Sequence, residues 1–404
     1  MPSAKNEFAG ECLVEIACNT TGLSLESPVV LGTASDALQC WLQTAVSACW
    51  PGARPKALRQ LAGDASARRY WRVLIEAGDS KAPASVIAAH LGPHDLPRYA
   101  RALKLLTEPL AEPLYLNVGR YLKALGVSVP EVYCATGVQP ADPGNEVAGE
   151  ACTLSIDKGR LILIEDVGEV SLIDAAKTHP ARAPELFQAA IDELIRFHVD
   201  GTARPDSHCL AFSITYDERL FAWEMKEFLE EGLGAVNAQA DRTAIAADVT
   251  GLAARLGGCS RVFSHRDYHG YNIFVQQGSR LRVLDFQDAL LAPAAQDLAV
   301  MLTTRDTSTV VGPLLEAELL AYYVDQTRRR GGSDGGNLPD PVTFLEEYRL
   351  AVLQHALKAI GRFAQLVRMG RERYRSYLPF CLKQARRMLN ESDDFPALRE
   401  ALCR

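Results

Sequence analysis

The spacing of apolar positions changes character near residue 166. Before it, short runs rich in β-branched and aromatic residues recur between glycines: "ALRQLAG", "RRYWRVLIEAG" and "ASVIAAHLG", punctuated by Gly63, Gly78 and Gly92. Such runs predict strands. They follow residues 36–50, "DALQCWLQTAVSACW", apolar at helical spacing and stopped by "PGARP". A helical region over about 97–125 leads to three more short strands, "VSVPEVYCATG", "ACTLSI" and "GRLILIEDVG". Strands, helix, then strands predicts an antiparallel sheet packed with a helix, an α+β unit that ends near Ile164.

Beyond Asp166 the apolar period is mostly helical, as in "ELFQAAIDELIRFHVDG" and "YDERLFAWEMKEFLEEGLG". A single strand pair interrupts it, "NIFVQQGSRLRVLDF", a hairpin expected to turn at Gln277-Gly278-Ser279. Helices resume at Ala294 and run to the end, broken by a loop over 328–341, and no internal repeat is visible. The expected order is therefore an extension over 1–35 with no assignable structure, a small sheet-rich lobe over 36–165, and a larger helical lobe over 166–404. A cleft between two unlike lobes is a common place for a small-molecule site.

A chain of 404 residues is too long for one core, which agrees with two lobes. With 48% apolar and 23% charged residues the composition is that of a soluble globular protein. The net charge of -7 and the lack of a wide basic field give no reason to expect a nucleic-acid partner. The N-terminus has no uninterrupted apolar segment of the secretory kind, and no run approaches the roughly 18 apolar residues of a membrane span. Ten cysteines without a C-x-x-C pair or zinc spacing predict reduced, buried thiols and a cytoplasmic protein.

Against this background "SHRDYHGYNIFV", Ser264 to Val275, is unusually polar just ahead of a strand. Asp267 and Asn272 are five residues apart, and the hairpin returns Asp285 beside Asn272. A carboxylate and an amide oxygen at one hairpin edge suit Mg²⁺, which takes few hard oxygen donors and keeps positions for phosphate and water. Asp267 on the loop is placed to accept a proton from a hydroxyl. A polar loop before a strand is ordinarily just a turn, and H-R-D alone is weak. Three elements in order, however, match the kinase pattern H-R-D-x-x-x-x-N followed by a metal-binding Asp.

On these residues the chain resembles the aminoglycoside phosphotransferase and choline kinase superfamily, with its two-lobed protein-kinase-like fold. "HRDYHGYN…VLDFQDALLAPAAQDLAVML" is most similar to the bacterial anomeric kinases of N-acetylmuramate and N-acetylglucosamine. That branch also carries an opening like Gly63 to Arg72, a connector like "LILIEDVG" and a late helix like "VLQHALKAIGRFAQL". The resemblance spans about 58–390. It implies ATP and Mg²⁺, a nucleotide-binding first lobe, and a second lobe with the catalytic loop and acceptor site. Asp267 would be the base, and Asn272 and Asp285 the metal ligands. Backbone groups of Glu165, Asp166 and Val167 would meet adenine, and Asp297 would tie the catalytic loop to the helix beneath it. His265 and Arg266 read as loop scaffolding. His269 is either a loop hydrogen-bonder or an acceptor contact, and Gln287 and Asp288 would support the metal site.

Two departures bear on the reading. No Lys occupies "ASVIAAHLG" where protein kinases place their phosphate-binding lysine, so Arg68, Arg69 or Arg72 must supply that charge. The opening loop holds only Gly63, leaving backbone N–H groups and the Ser66 hydroxyl to cradle phosphate. Residues 351–390 hold nine Lys or Arg against the single acid Glu372. If that segment borders the acceptor, a neutral or anionic acceptor is favoured over a polycation. In contrast, the helix "DERLFAWEMKEFLEEGLG" is acidic, with Trp223 and Phe228 suited to core packing or to lining a sugar. The expected function is an ATP- and Mg²⁺-dependent kinase of a small-molecule hydroxyl, a sugar first. A kinase of choline, homoserine or an aminoglycoside, or a nucleotide-binding module without catalysis, are the alternatives.

Overall fold

The computed structural model describes residues 36–61, 68–78, 80–91, 96–106, 110–136, 160–235, 241–331 and 338–403. The extension over 1–35, the "ACTLSI" strand and Ser66 lie outside the described residues. The chain forms two compact units, the first of Met1–Arg98, Thr107–Leu116 and Pro130–Gly168, and the second of Tyr99–Leu106, Asn117–Val129 and Glu169–Arg404.

In the first unit, helix α1 (Asp36–Cys49) precedes strands β1 (Arg54–Gln60), β2 (Arg69–Glu76) and β3 (Ser85–His90). Two helices then follow along the chain, α2 (Arg98–Ala102) and α3 (Leu114–Ala124), in place of one continuous helical region, and most of each belongs to the second unit. Pro113 explains the late start of α3: it cannot continue a helix inward, and its carbonyl instead accepts from the Leu116 N–H at 3.0 Å. Strands β4 (Val132–Ala135) and β5 (Leu161–Glu165) complete a five-stranded sheet in the order β1-β2-β3-β5-β4, antiparallel throughout.

The two-residue period of the strands divides the side chains between two cores. Trp71, Val73, Ile75, Val86, Ala88, Leu161 and Leu163 pack on Leu38, Leu42 and Val46 of α1. The other face gathers Ile87, Ala89, Ile162 and Ile164 around Leu116.

The second unit is mainly helical: α4 (Leu172–Thr178), α5 (Ala183–Ile195), α6 (Glu218–Glu227), the single turn α7 (Leu233–Ala235) and α8 (Arg242–Gly258). Two small antiparallel pairs interrupt the helices, β6 (Val262–Ser264) with β9 (Leu290–Ala292), and β7 (Ile273–Val275) with β8 (Leu281–Val283). The second pair is the expected hairpin, turning through Gln277–Ser279. The first pair is an addition to the expectation, because three-residue strands leave no periodic signal. Helices α9 (Ala294–Leu302), α10 (Pro313–Gly331), α11 (Pro341–Arg368), α12 (Leu378–Asn390) and α13 (Pro396–Cys403) follow. The expected loop over 328–341 is shorter than its sequence suggests, since Arg328–Gly331 remain helical.

Two helices end in π-turns, α5 through Arg196–Gly201 and α6 through Phe228–Gly232. The second π-turn lies against α11 so closely that a Cβ at Gly361 would sit 2.2 Å from the Phe228 nitrogen. Phe228 is core, and Trp223 is half-buried. All seven described cysteines are free thiols; Cys209 and Cys381 are buried, whereas Cys40 is exposed, so burial is not general.

Candidate active site

The polar loop after β6 is held from beneath by Asp297 of α9, a fully buried carboxylate. It accepts from the backbone N–H of His265 at 2.8 Å and of Arg266 at 2.7 Å, and from the Ser264 hydroxyl at 2.7 Å. His198, in the first π-turn, approaches it with Nε2 at 3.0 Å while its Nδ1 lies 2.7 Å from the Tyr323 hydroxyl. Burial opposes the charge of Asp297, but the hydrogen bond and charge of His198, with His265 and Ser264, hold its carboxyl below the usual range.

Arg266 has a left-handed backbone, φ 79°, uncommon for a side-chain-bearing residue and costly unless its surroundings fix it. Here they do. Its guanidinium donates to Glu224 at 2.8 Å, to Asp267 at 3.2 Å and to Asp288 at 3.2 Å, and it stacks 4.1 Å from the centroid of Tyr99. Asp267 is buried, which alone would raise its pKa, yet Arg266, Lys358, His269 and His265 outweigh burial and hold it well below the ordinary carboxylate range. It therefore stands ionised in a largely dry setting, where it can accept and orient the hydrogen bond of a hydroxyl.

From Asp267 the loop folds on itself. The Asp267 carbonyl accepts from the His269 N–H at 2.9 Å and from Asn272 Nδ2 at 3.0 Å. The Asn272 N–H in turn donates to the His269 carbonyl at 2.8 Å. Gly270 makes room for Ile173 of α4, whose side chain would lie 2.6 Å from any Cβ there. His269 is buried with Nδ1 lacking a protein partner, and burial keeps its imidazole neutral despite Asp267.

The hairpin then brings the chain back. The Leu284 N–H donates to the Asn272 carbonyl at 2.8 Å, and His265 Nε2 donates to the Leu284 carbonyl at 2.9 Å, which delivers Asp285 beside Asn272. Asp285 is also left-handed, φ 60°, and its Oδ1 accepts from Gln287 Nε2 at 2.6 Å. This donor set fits a hard divalent cation. The Asn272 amide donates through Nδ2, which turns its Oδ1 to the acceptor role, and Asp285 supplies a carboxylate. Among the described residues no three His, Cys, Asp or Glu converge, so such a cation would keep water and phosphate oxygens, as Mg²⁺ prefers.

In the first unit, Arg72, Ser85 and Asp166 share one sheet face by the two-residue period. Arg72 donates to Asp166 at 2.7 and 3.0 Å, and the Ser85 hydroxyl donates to the same carboxylate at 2.7 Å. Arg69 emerges on the opposite face and is exposed, so the two arginines cannot serve one phosphate from the same side. Glu165 ends β5, where its N–H donates to the Glu131 carbonyl at 2.8 Å and its carboxylate accepts from the Glu131 N–H at 3.2 Å. The Gly168 N–H donates to Asp166, and Val167 is buried.

Sequence reasoning missed Glu224 and Lys358. The signal was partial: Glu224 shares its helix face with the apolar Leu220 and Phe221, whereas Lys358 lies on a polar stripe of α11 with Gln354, His355 and Arg362. The basic stretch in 351–390 also looks different in three dimensions. Lys358 pairs with Glu224 at 2.9 Å, Arg362 approaches Glu227 at 4.0 Å, and Arg368 pairs with Glu231 at 2.7 Å, while Arg387 pairs with Glu316 at 2.7 Å. Three of the nine basic residues thus pair with the acidic helix and its π-turn and a fourth with α10, which weakens the charge count as a guide to the acceptor.

Residues 57–332 match the model of the phosphotransferase enzyme family. The chain is 28% identical to an N-acetylmuramate/N-acetylglucosamine kinase of Caulobacter vibrioides, over 79% of this chain and 84% of that one. It is 27% identical to the protein of the same name in Pseudomonas aeruginosa, over 85% and 88%. In fold it is similar to a choline kinase from Cryptosporidium parvum, with a TM-score of 0.56 and 13% identity over 92% of this chain and 100% of that one. With the kinase-like loop, the sheet-bearing first unit and the family match in agreement, the chain is an enzyme and belongs to the phosphotransferase enzyme family.

Proposed function

We propose that this phosphotransferase is an ATP- and Mg²⁺-dependent sugar kinase that phosphorylates the anomeric hydroxyl of an N-acetylated amino sugar, N-acetylmuramate or N-acetylglucosamine. The observation that carries this reading is the likeness, across most of both chains, to two kinases named for those sugars. Free thiols and the need for ATP fit a cytoplasmic setting. No helix among the described residues is long and apolar enough to cross a membrane.

Phosphoryl transfer asks a protein mainly to position groups and stabilise charge. In this reading Asp267 accepts the hydrogen bond of the anomeric hydroxyl, aims its oxygen at the γ-phosphorus, and takes the proton as the new O–P bond forms. Asn272 Oδ1 and the Asp285 carboxylate would hold Mg²⁺, whose positive charge would offset the charge that develops as the bond to the departing ADP breaks. Asp297 and His265 keep the loop and the end of β8 together. In the first unit, the Ile87, Ala89, Ile162 and Ile164 face offers apolar surface for adenine beside the backbone of Glu165, Asp166 and Val167. Arg72, oriented by Asp166, and the Ser66 hydroxyl are the groups assigned to phosphate, while Arg69 lies on the other sheet face.

The test is incubation of the purified protein with ATP and Mg²⁺ and, in turn, N-acetylmuramate, N-acetylglucosamine, choline and an aminoglycoside, read by ³¹P NMR. A phosphate ester coupled to the anomeric proton of an N-acetylated sugar is expected. Transfer only to choline or the aminoglycoside, or to another sugar hydroxyl, would overturn the reading.

A further inference from the structure

The late helix motif "VLQHALKAIGRF" has no place in the chemistry above, yet the structure sets it directly behind the catalytic loop. From it Lys358 donates to Glu224 Oε2 at 2.9 Å, and Gln354, one turn earlier, donates to the same oxygen at 3.2 Å. The Tyr216 hydroxyl donates there as well. The other oxygen, Oε1, accepts from Arg266 at 2.8 Å. The Glu224 side chain is only 2% exposed, and each of its oxygens is met by a cation. The close approach at Gly361, three residues beyond Lys358, is what lets α11 reach α6 at all.

We propose that Glu224 and Lys358 are positioning residues for phosphoryl transfer, together holding the Arg266 guanidinium against Asp267 and so fixing the carboxylate that receives the acceptor hydroxyl. The inference rests on Asp267 being that acceptor. Its physical basis is a competition. One guanidinium serves three carboxylates, Glu224, Asp267 and Asp288. Glu224 is the most deeply buried of them, so without a second cation it draws the guanidinium toward itself and away from Asp267. Lys358 satisfies Glu224 and leaves Arg266 free to divide its donors. Any such shift must be made by the guanidinium sliding over the Tyr99 ring, because the Arg266 backbone is fixed by Asp297.

The experiment compares Lys358→Met with the double variant Glu224→Gln/Lys358→Met, measuring kcat and the KM of sugar and ATP separately. Lys358→Met should lower kcat roughly 100-fold, the size of effect expected from a misplaced reacting group, with both KM values near those of the parent. The double variant should regain most of that loss, because Gln still accepts from Arg266 and no buried charge is left unpaired. Parental kcat in a folded Lys358→Met protein would overturn the proposal. So would a raised sugar KM that the second substitution does not relieve, since Lys358 would then contact the acceptor itself. If Lys358→Met does not fold, the double variant decides alone: turnover near the parent is expected, and a loss as deep as that of Asp267→Asn overturns it. A crystal structure of the Lys358→Met or double variant protein without any acceptor gives a separate reading. Arg266 displaced from Asp267 in the single variant, and returned in the double, is expected; an unmoved guanidinium in the single variant sinks the idea. That arm stands even if no sugar is phosphorylated, so failure of the assigned acceptor and failure of this inference are distinguishable.

Discussion

Asp267 combines two properties that usually exclude each other, burial and a firmly ionised carboxylate, because Arg266 and Lys358 surround it with positive charge. Asp267→Asn keeps the shape and removes the basicity. Turnover should fall at least about 100-fold, as for loss of a general base, while ATP binding measured by calorimetry stays near the parent value. An Asn variant that turns over like the parent would remove Asp267 from its role. Asp285→Ala should act differently, by raising the Mg²⁺ concentration needed for half-maximal activity, which a magnesium titration of turnover reads directly. Asp267, Asn272 and Asp285 were legible in the sequence because one loop and one hairpin carry all three. Glu224 and Lys358 were not, since they lie 42 residues before Arg266 and on a helix far beyond it, and a charge within either helix does not by itself name its partner. Only the packing of α6 on α11 joins them.

The elements that carry the site are held by close contacts at two glycines. At Gly361 a methyl group would meet the Phe228 backbone nitrogen at 2.2 Å and the Glu227 carbonyl carbon at 2.5 Å, neither of which can rotate away. Gly361→Ala must push the π-turn of α6 from α11, at a cost of about 3 kcal/mol by the usual scale of overpacking, and should shift the urea midpoint accordingly. An unchanged midpoint would mean that the two helices do not meet there. Gly270→Ala meets only the flexible end of Ile173, so its effect should appear more in turnover than in stability. Of the elements themselves, the long helices and the strands of the first sheet follow from apolar period, and the hairpin from its turn residues. The β6–β9 pair does not, because each strand has three residues and finds its partner across the intervening loop and hairpin. The break between α2 and α3 is marked in the sequence by Pro113, whereas Arg328–Gly331 continue α10 although the Gly331-Gly332 pair disfavours helix.

At the scale of the molecule, acid should weaken this protein before its carboxylates lose their charge. His355 of α11 is buried among Lys358 of the same helix, Glu224 of α6, and Asp267 and His269 of the catalytic loop. Burial first, and Lys358 second, lower its pKa from 6.5 to about 4, against the partial opposition of Glu224 and Asp267. The folded protein therefore binds this proton less readily than the unfolded chain. The corresponding stability is fully present above pH 6.5 and is lost as the pH falls toward 4. Over that window the loss amounts to about 3 kcal/mol at roughly 1.4 kcal/mol per pH unit. Glu224, held at about 2 against an ordinary 4.5, because Lys358 and Arg266 overcome a burial that would raise it, adds its own loss from about pH 4.5 down toward 2, mostly below that window. Urea midpoints followed by circular dichroism between pH 6.5 and 4 should thus fall steadily. His355→Leu should flatten that fall while leaving the steeper loss at lower pH in place. Equal slopes in the two proteins would show that His355 gains its proton as easily folded as unfolded, and that the neutral imidazole is not what the core beside the catalytic loop was built to hold.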